Sequence, residues 1–175
     1  MRYALLTVLL LGCNGVAFHG NFTPLADAAR AGDVAQVRSL IAHGADPNEI
    51  AGQNNWTPLM HAIHTGQIRS VEALLDGGAD VNRVAGDGFT ALMMAAGYGY
   101  TGIVELLIRR GASPRVAGAD GVRPIDLAVT GVPDIDRLTL LQCQTDTIRA
   151  LRAADPTISV SPRALMWART KRCRV

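Results

Sequence analysis

The chain has 175 residues and a net charge of +2; 49% are hydrophobic, with only 3 Phe, 3 Tyr and 2 Trp. That is enough for one domain with a buried core of small aliphatic side chains, and the scarcity of β-branched runs speaks against a sheet-built fold. The charge is uneven: His19 to Asp155 carries 11 Arg against 15 acids, whereas Pro156 to Val175 carries 5 basic residues and no acid, a mildly acidic body with a basic tail.

Taken in chain order, residues 1–17 read as a secretory signal peptide. Met1-Arg2 is a minimal positive start, and Tyr3 to Leu11 is an apolar run too short to remain in a bilayer as a helix. Two cleavage sites compete. Leu10-Leu11-Gly12-Cys13 resembles a bacterial lipobox, with Cys13 lipidated and tethering the protein to a membrane, while Gly15-Val16-Ala17 suits cleavage before Phe18. An apolar cap on a cytosolic protein is the plainer alternative.

From Phe22 the chain repeats itself. Thr23-Pro24-Leu25, Thr57-Pro58-Leu59, Thr90-Ala91-Leu92 and Arg123-Pro124-Ile125 follow at steps of 34, 33 and 33 residues. Gly44-Ala45-Asp46-Pro47-Asn48, Gly78-Ala79-Asp80-Val81-Asn82 and Gly111-Ala112-Ser113-Pro114-Arg115 keep the same beat. Such a period means stacked supersecondary units sharing one elongated core. Each unit predicts a helix, a glycine turn, a second helix and a hairpin, with repeats near 22–54, 55–88, 89–121 and 122–154. The second helices, with Val37 and Leu40, Val71 and Leu74, or Val104 and Leu107, are too apolar to lie free. The fourth unit breaks at Gly131-Val132-Pro133; Asp134 to Ala154 then reads as one long or two short amphipathic helices capping the array. Residues 155–175 read as a basic tail, loosely ordered or laid over the last repeat. For that tail, a solvated terminus competes with contact to anionic lipid or to nucleic acid, which an exported protein would rarely meet.

Thr-Pro-Leu, the paired alanines, the glycine, Val-x-x-Leu-Leu and Gly-Ala-Asp-x-Asn together resemble ankyrin repeats, closely over Phe22 to Asn82 and with decay to Ala154. The resemblance implies an all-α helix-turn-helix solenoid with β-hairpin fingers, of about four repeats with the last irregular, binding another protein on its concave face. It also implies the groove positions: Trp56, Phe89 and Val122 on the fingers, and Arg30, His64, Thr65, Gly97 and Tyr98 on the first helices. Trp56 and Phe89 could instead merely pack between fingers. The family's histidine after Thr-Pro-Leu is replaced by Ala26, Met60, Met93 and Asp126, so its hydrogen bond back to the threonine is not expected.

Catalytic chemistry has little support. His61 and His64 share a helix face, but no third ligand accompanies them, so no metal is expected. Asp126, Asp134 and Asp136 suit helix capping, and Cys143 lacks a neighbouring base. After export Cys143 and Cys173 would be the remaining cysteine pair, bonded or as two thiols. The expectation is a monomeric, non-enzymatic binding module of the bacterial periplasm or envelope, without cofactor or nucleic acid. The alternative is a dedicated inhibitor, such as an immunity protein that blocks a toxic envelope enzyme.

Overall fold

The computed structural model describes residues 22–52, 54–118, 120–131, 143–171 and 173. Within them lie α1 (Pro24–Ala31), α2 (Val34–Ala42), α3 (Pro58–His64), α4 (Ile68–Asp76), α5 (Ala91–Tyr98), α6 (Thr101–Arg109), α7 (Pro124–Thr130), α8 (Thr145–Ala154) and α9 (Pro162–Thr170). Residues 1–21, with the proposed leader and Cys13, fall outside the described residues, as do Asp134 and Asp136.

The repeated threonine starts each early unit. The Thr23, Thr57 and Thr90 side chains accept from the amides of Ala26, Met60 and Met93 at 3.2, 3.4 and 3.2 Å, satisfying amides that have no partner within the helix. Proline after the first two threonines fixes a helical φ where no N–H is needed. After the first helix, Gly32, Gly66 and Gly99 turn the chain with φ of 79°, 74° and 72°, a left-handed backbone that only glycine adopts cheaply. A Cβ there would run into Gln67, Tyr100 and Gln144 respectively, the residue that opens the next unit's second helix.

The helices form two layers. α1, α3, α5, α7 and α9 each touch the next along one face; α2, α4, α6 and α8 do so along the other. Between them lies a continuous core in which Val37, Val71, Leu74, Val104, Leu107, Ile125 and Leu151 are fully buried. Each such side chain contributes about 1.5–3 kcal/mol of transfer free energy. The fingers are narrow. Ala51 N–H donates to Trp56 at 2.9 Å, Ala85 to Phe89 at 2.8 Å and Gly118 to Val122 at 2.9 Å, with isolated bridges at Ala51–Trp56 and Val84–Thr90.

Below the fingers an asparagine ladder sews the units together. Asn48 donates to the Gly78 carbonyl at 3.2 Å and accepts from the Asp80 amide at 2.7 Å. Asn82 repeats this with Gly111 and Ser113 at 3.0 Å each. Arg115 stands at the third rung and changes the chemistry, reaching across to Asp155 at 2.6 Å.

The array continues past Ala154. α8 lies in register as the second helix of the fourth unit, packed on α6 and α7, so it belongs to the repeat rather than capping it. Asp155-Pro156-Thr157 then copies Asp46-Pro47-Asn48: the Asp155 carboxylate accepts from the Thr157 amide at 3.0 Å, as Asp46 does from Asn48 at 2.8 Å. Ser161 caps α9 through the Ala164 amide at 3.3 Å, followed by a proline as in α1 and α3. α9 packs on α7 through the buried Ala164 and Ala168. It is therefore the first helix of a fifth, half-length unit, where a solvated tail was the plainer expectation. Cys143 before α8 and Cys173 after α9 lie with Cα atoms 6.0 Å apart, a separation suited to a disulfide.

Candidate binding face

The inner layer and the fingers carry a row of rings across three repeats. The Arg30 guanidinium stands 5.1 Å from the centre of the Phe22 ring, which meets His61 edge-on at 5.0 Å. Trp56, presented by the first finger, lies 5.5 Å from His61 and 5.2 Å from His64. His64 meets Tyr98 edge-on at 5.6 Å, and Tyr98 stacks on Tyr100 at 5.6 Å. The Trp56 indole N–H donates to the Asp87 carboxylate of the second finger at 2.8 Å, and the other Asp87 oxygen accepts from the Phe89 amide at 3.1 Å. Finger and helix thus hold the indole from two sides, so little rotamer entropy remains to be lost on binding.

His61 sits under this row, 4% exposed, its Nε2 donating to the Ala51 carbonyl at 3.1 Å. Burial pushes its pKa below the ordinary imidazole value, with the positive charge of Arg30 and the neighbouring His64 adding to the effect. The Ala51 hydrogen bond and Asp27 oppose it. At the opposite end, the Thr157 hydroxyl holds the Asp155 carboxyl below the usual range, helped by the Thr157 amide and Arg115.

The positions implied by the resemblance divide. Arg30 is exposed, and Trp56, His64, Thr65, Phe89 and Val122 are half-buried on this face. The Thr65 hydroxyl donates to the Arg30 carbonyl at 2.8 Å, fastening α3 to α1. Gly97 and Tyr98, expected to face the groove, are instead buried, Tyr98 at 7% exposure. The reason is packing: the Tyr98 ring is enclosed by His64 and Tyr100, and a glycine beside it has no side chain to present. Phe22, His61 and Tyr100 join the row without having been singled out for it. The sequence signals only Phe22, which precedes Thr23 as Trp56 precedes Thr57 and Phe89 precedes Thr90; the places matching His61 and Tyr100 carry no aromatic ring in the other units. His61 and His64 both pack on Trp56, and among the described residues no cluster of three or more His, Cys, Asp or Glu is placed to hold a metal ion.

Asp126 does unexpected work. It stands where the family's histidine would be, 3% exposed, and accepts from the Arg123 amide at 3.2 Å and from the Ser161 amide at 2.7 Å. One carboxylate therefore caps α7 and ties the fourth unit to the fifth. Beside it a cleft of about 620 Å³ opens between α7 and α9, walled by Val122, Leu127, Met166 and Trp167.

Two layers of short helices with projecting fingers define a repeat solenoid. A family model described as "Ankyrin repeats (3 copies)" matches residues 2–85 and 25–117. The chain belongs to the ankyrin-repeat family, whose repeats generally mediate protein–protein interaction. A search of curated proteins returned no match.

Proposed function

We propose that the chain is a non-catalytic recognition module that binds another protein across its inner face, acting after export in a bacterial periplasm or envelope. The supporting observation is the row from Arg30 to Tyr100, which spans three repeats and is braced by contacts within the chain. Arg, Trp and Tyr are the residue types that most often dominate binding energy, and the braced, half-buried Trp56 suits an anchor.

Export rests on the order of residues in Met1 to Ala17. The family match beginning at residue 2 overlaps that stretch, which makes the mature N-terminus the deciding datum. Mass spectrometry should find it at Cys13 or Phe18, and an intact Met1 in cytosolic protein overturns export. Cys13→Ser should release the protein from membranes if Cys13 carries lipid. Affinity capture from the envelope fraction, comparing the parent chain with Trp56→Ala, tests recognition itself. A protein retained by the parent and lost with the variant supports the proposal; identical captures refute it. If the captured protein is a toxic or lytic enzyme that the chain silences, the module is a dedicated inhibitor.

A further inference from the structure

The cleft between α7 and α9 carries a chemistry of its own. Its walls are apolar, and Met166 at their edge is 69% exposed, the most exposed large hydrophobic side chain among the described residues. About 620 Å³ is room for one or two bulky side chains. Of the charged groups lining it, Asp126 is already engaged by Arg123 and the Ser161 amide. Asp120 stands exposed on the finger side and Arg163 exposed on the α9 side. Arg163 also opens a stretch, Pro156 to Val175, with 5 basic residues and no acid.

We propose that this cleft seats an acidic segment of a protein partner, which inserts an apolar side chain between Leu127 and Trp167 and directs a carboxylate to Arg163. The proposal rests on the reading of the inner face as a protein-binding surface and names the partner chemistry at its C-terminal end. Asp120 sets the orientation, because a carboxylate on the finger side would meet a like charge. The pairing with Arg163 gains strength where the partner's apolar group excludes water from the cleft. A membrane surface fits less well. Trp167 is half-buried and Leu165 packs against the core, so neither is presented for insertion.

The test uses the full chain and labelled peptides of alternating leucine and glutamate, or leucine and lysine, followed by fluorescence anisotropy. Flotation with phosphatidylglycerol vesicles is the third arm. The glutamate peptide should bind saturably and at least about tenfold tighter than the lysine peptide. Arg163→Glu should remove that preference, and Arg163→Gln should weaken it. Arg163 lies in the first turn of α9, where a negative charge favours the helix dipole, so the Glu variant should melt like the parent. Equal binding of the two peptides, no binding of either, an unchanged preference in Arg163→Glu, or a response to vesicles alone each overturns the cleft assignment. Those results leave the recognition reading standing if Trp56→Ala still abolishes partner capture. Failure of all capture overturns that reading instead.

Discussion

At the scale of single residues, burial separates positions that the repeat pattern treats alike. Trp56 and Tyr98 belong to one row, but Trp56 is half-buried on a finger and Tyr98 is 7% exposed between His64 and Tyr100. Trp56→Ala should therefore weaken partner binding by roughly 1–3 kcal/mol, with a smaller loss of stability than Tyr98→Ala because the indole is only half-buried. Tyr98→Ala should cost about 3 kcal/mol of stability, because it empties packed space; chemical denaturation of both variants checks the split. His61 adds a pH signature. Its folded pKa is lowered, so on acidification the unfolded chain takes up the proton first. Stability should hold above about 6.5, the ordinary histidine value, and fall as pH drops from there through the folded pKa. His61→Gln keeps a donor for the Ala51 carbonyl but cannot titrate in this range, and Asp27, Arg30 and His64 remain to face it. Its denaturation midpoint should fall less steeply below that pH than the parent's, and parallel curves would remove His61 from the account.

At the scale of elements, the early helices were legible and the last was not, for physical reasons. Thr23, Thr57 and Thr90 each combine a cap with an apolar turn at steps of 34 and 33 residues, so local chemistry and period agree. Ser161 caps α9 in the same way but lies 38 residues after Arg123 instead of 33, and Arg163 stands where the earlier units have leucine or isoleucine. A shifted beat and a changed residue hid a unit whose contacts are as regular as the others. Gln144 shows the same limit: its fit against Gly99 is a contact between repeats and leaves no local trace. The consequence is testable at α9. Ser161→Ala should cost about 1 kcal/mol by uncapping the helix. Joining Cys143 to Cys173 closes a separation of 30 residues, worth roughly 3 kcal/mol in the chain-entropy account. The double Cys→Ser variant of exported protein should lose stability of that order. Two titratable thiols in the denatured, unreduced parent would show that the bond is not made.

At the scale of the whole molecule, identical rungs give the array its continuity and the exceptions give it direction. Asn48 and Asn82 make the same pair of bonds one repeat apart. At Arg115 the ladder turns ionic, and beyond its partner Asp155 the chain turns from acidic to basic. One end of the inner face is thus aromatic and the other is a cleft beside a basic helix, a polarity suited to a partner bound in a single orientation. The sequence carried the solenoid because period and capping are local. It carried the binding face only in part, since which rings stay accessible depends on how neighbouring repeats close over them, as at Tyr98. The central claim, recognition across the inner face, is tested most directly by hydrogen exchange of the chain alone and with its captured partner. Protection should appear in the fingers and in α1, α3, α5, α7 and α9, while α2, α4 and α6 exchange as before. Protection confined to the outer helices, with the fingers unchanged, would contradict the account.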